Sequence, residues 1–322
     1  MNNIYFLILK SLRKVYSFTN QHHILQKEND IDAISDLIYN KLTNNNPCMI
    51  ARFGAFELST IINYLSIKNP SHSVWKYIKG EQQEWWWNKT LMNYMYTNAG
   101  FFPPSEEALS RFCKLMLSDT KEVDILGSWQ QNERYLENYF STSIIKVNRE
   151  NSNPFFAKEP WTRALKGKKI LVIHPFATSI LHQYEKRELL FKNPNILPKF
   201  KSLQVIKAVQ SIGGSNSQFE NWFEALDWMK TEMDKCDYDI CLIGCGAYGF
   251  PLAAYAKRQG KKAIHLGGAL QLYFGIRGKR WEGKGYVGTD HDYSTLFNEH
   301  WIRPSQDEIP NQSNKVENGC YW

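Results

Sequence analysis

The chain of 322 residues is 43% hydrophobic and 22% charged, an ordinary globular composition with room for one large domain or two small ones. Its 39 basic and 32 acidic residues give a formal charge of +7, a mild and diffuse excess that suits an anionic small ligand or a membrane surface and argues against a nucleic-acid partner. The six cysteines, Cys48, Cys113, Cys236, Cys241, Cys245 and Cys320, form no C-x-x-C pair, which speaks against a secreted disulfide scaffold or a zinc site and predicts a reduced, cytoplasmic protein.

The apolar run from Ile4 to Phe18 is too short to span a bilayer and lacks a small-residue cleavage site. With Lys10, Arg13 and Lys14 set among Leu7, Ile8, Leu12 and Val15, it reads either as a first helix docked on the body or as a basic amphipathic helix at the inner face of a membrane. Residues 1–28 are therefore set apart from an α/β domain over 29–290, with halves at about 29–150 and 160–290, and from a tail over 291–322 that packs back on the body.

Asn29 or Asp30 can cap a helix whose apolar positions Ile31, Ile34, Leu37, Ile38 and Leu42 recur every three or four residues. A strand from Cys48 to Phe53 meets Gly54, and Phe56 to Leu65 reads as helix. Here Arg52 leaves the strand and Glu57 sits in the first helical turn, so a cation and a carboxylate flank one glycine. The guanidinium could fork onto a phosphate, and the carboxylate could bind a metal or ribose hydroxyls or act as a base. The plain alternative is an ion pair at a helix start.

Glu81 to Asn98 is predicted as a helix carrying Trp85, Trp86 and Trp87 and closed by Gly100. A helix to about Leu117 starts at Ser105, Val123 to Trp129 reads as a strand, Gln130 to Phe140 as a helix, and Asn148 to Pro154 as a loop. Lys169 to His174 is a buried strand. The hydroxyls of Thr178 and Ser179 at the helix start beyond Pro175 suit a phosphate or a plain N-cap. A strand over Leu203 to Ala208 precedes an amphipathic helix over Ser217 to Lys235.

The run Asp239 to Ile243 then leads into Gly244-Cys245-Gly246-Ala247-Tyr248-Gly249, a G-x-G-x-x-G turn, followed by a helix from Pro251 to Gln259, Gly260, and a strand from Lys262 to Leu266. Glycines at such a turn let the backbone approach a phosphate, with free N–H groups at the helix start to meet its charge. The acid that an NAD site needs roughly 20 residues on is absent, so a nucleoside diphosphate other than a dinucleotide fits better. Alternating units of this kind predict a mostly parallel sheet covered by helices, with ligands beyond the carboxyl ends of the strands, at Phe53, His174, Val209, Gly244 and Leu266. Arg277, Lys279, Arg280 and Lys284 follow the glycine site. Asp290-His291-Asp292 is a D-x-D, but Asp30-Ile31-Asp32 and Asp237-Tyr238-Asp239 match that pattern equally.

Arg52-Phe53-Gly54-Ala55-Phe56-Glu57, taken with the late strand, turn, helix and strand ending in His265-Leu266-Gly267, resembles the bacterial glycosyltransferases of the GT-D fold. Their early motif reads Arg-Phe-Gly-Asp-Gly-Glu and their late strand ends Asp-Ile-Gly. The likeness runs as short motifs from about Asn46 to Gly275, and the tail Glu317 to Trp322 is similar to that of capsule and surface-polysaccharide proteins. The resemblance implies transfer of a hexose from a UDP-sugar to a glycan or lipid-linked acceptor, with the Asp-x-Glu pair holding manganese or magnesium and the nucleotide. Taken together, the reading of the residues and the resemblance place Arg52, Gly54, Glu57, Ser179, Gly244, Gly246, Ala247, Tyr248, Gly249, Gly267 and Arg277 at the donor, with Glu57 or His174 as base and Glu57 as the remaining metal ligand. Ala55 stands where the family has Asp. Either Glu57 and another carboxylate hold the ion, or basic residues such as Arg52, Arg277 and Lys279 neutralise the diphosphate without one. A Rossmann-type oxidoreductase and a non-catalytic glycan-binding member of an assembly complex are the other classes these features allow.

Overall fold

The computed structural model describes residues 3–17, 25–212, 218–283, 291–311, 313–315 and 319–322. Its elements run α1 (Asn3–Ser17), α2 (Ile31–Thr43), β1 (Cys48–Ala51), α3 (Ala55–Lys68), α4 (Val74–Ile78), α5 (Lys89–Thr97), α6 (Glu106–Thr120), β2 (Ile125–Ser128), β3 (Ile145–Asn148), β4 (Lys169–His174), α7 (Ala177–Glu185), α8 (Arg187–Leu190), β5 (Ser202–Lys207), α9 (Trp222–Asp234), β6 (Ile240–Ile243), α10 (Gly249–Arg258), β7 (Lys262–His265) and α11 (Leu270–Tyr273), with short 3-10 turns between them. The seven strands form one sheet in the order β3-β2-β1-β7-β6-β4-β5. Every neighbouring pair is parallel. The expected α/β architecture is thus present, with the sheet parallel throughout.

Successive side chains of a strand point to opposite faces, and the two faces are filled differently. Met49, Ala51, Leu171, Ile173, Cys241 and Ile243 share a core with α3, α5, α6, α9 and α10. Cys48, Ile50, Ile170, Val172, Ile240 and Leu242 share the other with α2, α7 and α11. Because both faces are covered, the interior strands β1, β4 and β6 read as apolar runs. Local signals set the helix bounds. In α2 the Asp30 side chain accepts the Ala33 N–H at 2.8 Å, and Ile34, Ile38 and Leu42 are buried at a spacing of four.

Several bounds differ from expectation. The helix predicted from Glu81 starts only at Lys89, because the Asn88 side chain accepts the Leu91 N–H at 3.1 Å and caps it there. The three tryptophans precede that cap. Trp85 and Trp86 pack around Leu9, Tyr77 and Ile78, and Trp87 lies against the main core. The helix predicted from Ser217 starts at Trp222, capped by Asn221, and Gln131–Tyr139 is 3-10 rather than α. All six cysteines are free. Among the described residues, no helix is long and apolar enough to cross a membrane.

Topology places the site. The helices after β1 and β6 pack on one face, and those after β4 and β7 on the other. Since β1 adjoins β7 and β6 adjoins β4, the chain diverges above and below the sheet at its centre. That divergence opens a crevice at the carboxyl ends of these strands.

Candidate functional site

A cavity of about 200 Å³ occupies that crevice, and residues at or just beyond the ends of all seven strands reach it: Arg52 and Glu57, Trp129, Arg149, His174, Ser211, Gly244 with Gly246, and Gly268. A smaller lobe of about 60 Å³ adjoins it and shares Arg52, Arg149, Gly268 and Arg280.

Gly54 is the N-cap of α3 and Glu57 lies in its first turn. The carboxylate folds back over the cap: a Cβ on Gly54 would stand 1.9 Å from Glu57 Oε2. Phe53 O accepts from Trp129 Nε1 at 3.0 Å and from Arg52 and Gln130 at 3.3 Å, which fixes the turn. Glu57 is only 8% exposed. Burial pushes its carboxyl above the usual glutamate range, while the Arg52 charge and its own backbone N–H pull it back. A buried carboxylate of raised basicity is what a general base requires.

Arg52 crosses from β1 to the loop after β7, where its guanidinium packs on Gly267. A Cβ on Gly267 would stand 1.8 Å from Nη2, and the residue has φ +63°. Both facts demand glycine. Gly267→Ala is expected to destabilise the fold by about 1–3 kcal/mol and, by displacing the guanidinium, to weaken binding of an anionic ligand. Thermal melts and nucleotide titrations on this variant check both.

The three glycines after β6 have separate duties. A Cβ on Gly244 would meet Gly267 O at 2.6 Å and His174 Cδ2 at 2.8 Å, so the β4, β6 and β7 ends converge there. Gly246 has φ +57°, and Gly249 lets α10 lie on the His265 ring, 2.3 Å from where its Cβ would be. Gly244, Gly246 and Tyr248 line the cavity. Ala247 is buried in the main core instead. The amides of Gly244, Ala247 and Tyr248 donate to Ile173 O, Ala99 O and Cys245 O, and that of Gly249 to Gly246 O. Those four amides are thus taken up within the chain, and the full positive charge at the cavity comes from elsewhere.

It comes from three guanidiniums. Arg149, beyond β3, stacks on Trp129 at 4.2 Å and pairs with Glu150. Arg280 donates to Tyr321 Oη at 2.6 Å and lies over that ring. Tyr321 is itself wedged in place: its ring would touch a Cβ on Gly268 at 2.2 Å, its carbonyl one on Gly278 at 2.7 Å, and Gln271 Nε2 donates to that carbonyl at 3.1 Å. Sequence reasoning singled out neither Arg149 nor Arg280 as a ligand. Arg149 stands in a stretch read as loop, and Arg280 is one of four cations in a run.

His174 lines the cavity, and its Nδ1 accepts the Phe176 N–H at 3.0 Å. Burial pushes its pKa down to about 3. The ring is thus neutral at ordinary pH, and that hydrogen bond assigns its hydrogen to Nε2. Such a ring donates better than it takes a proton. His265, in the smaller lobe, is also held down to about 3, by burial and the Arg52 charge.

Besides Ala247, Gly249 and Gly267, which support the cavity without lining it, Ser179 and Arg277 are not brought to it either. At the start of α7, Glu308 Oε1 accepts from Thr178 N at 2.8 Å and Ser179 N at 3.3 Å, and its Oε2 accepts from Ser179 Oγ. An internal carboxylate already fills that anion position. Arg277 is absent from the lining and has Nε 3.9 Å from Glu282. Asp290 lies outside the described residues, and Asp292 caps a 3-10 turn through Ser294 N at 3.0 Å. As for a divalent metal, Ala55 offers no ligand, Glu57 is the only carboxylate among the lining residues of the larger lobe, and Glu150 in the smaller one is paired with Arg149. Among the described residues, no cluster of three or more His, Cys, Asp or Glu side chains could hold an ion. Beside three guanidiniums, this donor set does not fit an Asp-x-Glu metal centre.

The fold is that of a GT-D-type protein. The family model of the GT-D fold-like domain matches residues 29–273, and the chain belongs to that family. No curated protein matches it in sequence. Among solved structures it is similar to a glycosyltransferase with domain of unknown function 1792 from Streptococcus sanguinis, at 12% identity over 88% of this chain and 96% of that one, with a TM-score of 0.41. A second similar structure is described as that same highly conserved domain with a distinct glycosyltransferase fold, at 13% identity over 93% and 96%, with a TM-score of 0.40.

Proposed function

We propose that the chain is a glycosyltransferase that moves a sugar, in our reading a hexose from a UDP-linked donor, to a hydroxyl of a glycan or lipid-linked acceptor in surface-polysaccharide synthesis. The observation that carries this is the meeting of Arg52 with Gly267 and Gly244 around a single cavity that also holds a buried carboxylate. Arg52, Arg149 and Arg280 would grip the diphosphate, because planar guanidiniums pair with phosphate oxygens and offset the charge that builds as the anomeric bond breaks. Glu57 would take the proton of the acceptor hydroxyl as its oxygen replaces the diphosphate at the anomeric carbon. His174, with hydrogen on Nε2, would donate to a sugar or phosphate oxygen. Since the carboxylate set does not suit a metal centre, neutralisation falls to the arginines.

Titration of the purified chain with UDP, GDP and TDP, in EDTA and in manganese, tests this reading. Binding of at least one nucleotide in EDTA is expected, weakened about tenfold or more by Arg149→Gln or Arg280→Gln. Binding that requires manganese would overturn the arginine assignment and keep the donor. Binding in neither buffer would overturn the donor as well.

A further inference from the structure

The outward side of α1 presents apolar side chains to solvent for which packing within the chain offers no reason. Leu9 of α1 is buried with Tyr77 and Ile78, and Tyr16 packs beside them. Phe6 stacks on Trp86 with centroids 3.9 Å apart, and Arg13 donates to Gln82 O at 3.2 Å and lies over the Tyr77 ring. Residues 6, 9, 13 and 16 share one helix face, so α1 is already anchored. On the far side Ile4, Leu7 and Val15 are 67%, 63% and 67% exposed, with Ile8 and Leu12 beside them. The helix α4, which packs against α1, also exposes Val74 and Trp75, the latter to 61%. Most of the large hydrophobic side chains exposed among the described residues belong to these two helices.

The rim of this patch is positive. The α1 sequence contains no acidic residue, and Lys14 flanks its apolar stripe beside Lys10, whose ammonium pairs with Glu84 at 3.0 Å. Lys76 and Lys79 are exposed on and just after α4, with Lys79 Nζ 5.7 Å from the centre of the Trp75 ring. A second copy of the chain would bring like charges together across such a rim. An anionic headgroup layer would bring opposite ones, with the aliphatic stripe below the headgroups and tryptophan at their level.

We propose that α1, with Trp75, seats this protein on the surface of an anionic bilayer, α1 lying in the interfacial plane without crossing it. A groove between α1 and α3 is lined by Lys14 on one side and by Ser59 and Asn63 on the other. Since α3 begins at the cavity with Glu57, a rise of about 1.5 Å per residue places Asn63 about 9 Å further along that helix. One rigid element therefore links the lipid surface to the site. The inference rests on the surfaces of α1 and α4 and holds whichever ligand fills the cavity.

Co-sedimentation of the full chain with vesicles tests it, using phosphatidylcholine alone and phosphatidylcholine mixed with phosphatidylglycerol. The expected result is binding to the mixed vesicles that falls as salt rises and is about tenfold weaker for the double variant Leu7→Asp with Val15→Asp. Both positions are solvent-exposed, so melting temperature and nucleotide affinity should stay at the parent's values. Equal sedimentation with and without the anionic lipid, or binding that the double variant leaves intact, would overturn the proposal. So would a lipid-free dimer in sedimentation velocity that the same variant dissociates, because a second copy would then cover the face.

Discussion

Glu57→Gln is expected to lower turnover by about two to four orders of magnitude while leaving the melting temperature at or above that of the parent. The amide matches the carboxylate in shape, so the crowding over Gly54 is preserved, and it carries no charge to strip of water. The sign of the pH effect follows from burial. Because the folded carboxyl holds its proton to higher pH than the ordinary value of 4.5, its contribution to stability is complete below 4.5 and is lost as pH rises through the raised value. The glutamine variant escapes that loss. As a base, Glu57 must be ionised to work, so the activity of the parent should climb with pH along a limb displaced above the usual glutamate range. Turnover within threefold of the parent in the variant, or an unmoved limb, would assign proton removal to another group.

Acid should destabilise the fold while most carboxylates are still ionised. His174 and His265 both have pKa values of about 3 against an ordinary 6.5. Between those values the unfolded chain binds protons that the folded chain refuses, so the stability these rings contribute is complete above pH 6.5 and is lost as pH falls towards 3. Each shift corresponds to about 4–5 kcal/mol at its full extent, large beside the usual net stability of roughly 5–15 kcal/mol. Glu57 and Asp119, the latter pushed up to about 6 by burial, act in the opposite sense and cancel part of this. Melting temperatures from pH 7.5 to 4.5 should therefore drop steeply, and His174→Asn, whose side-chain oxygen can still accept the Phe176 amide, should flatten the fall. A melting temperature constant across that range would show that neither ring resists protonation.

The interior of the sheet was legible because its strands are buried on both faces and so announce themselves as apolar runs with glycine, proline or polar residues after them. The strand β3 escaped notice: Ile145 and Val147 alternate with Lys146 and Asn148 at the sheet edge, and two apolar residues are too few to stand out. Half of the site was legible for the same reason that places it. Arg52, Glu57, His174 and Gly244 stand where strands end, and parallel strands end together. Arg149 and Arg280 were not, since nothing local distinguishes a cation over a ligand from one in water. Ser179 illustrates the converse. A hydroxyl at a helix start reads identically whether its partner is a phosphate or, as here, the carboxylate of Glu308, 129 residues further on. The tryptophan run misled because apolar residues preceding a capped helix extend its periodicity backwards, and only the Asn88 hydrogen bond shows where the helix begins.

Tyr321 braces one of the three cations of the cavity, yet it belongs to a short terminal stretch that contributes no strand to the sheet. Losing Tyr321 and the buried Trp322 would consequently free Arg280 and also open the core shared with α2, α7 and α11, so a chain trimmed there should lose melting temperature together with ligand affinity. Such a sample would pass for a catalytically dead enzyme, and mass spectrometry of the final fraction would distinguish trimming from a true lack of activity.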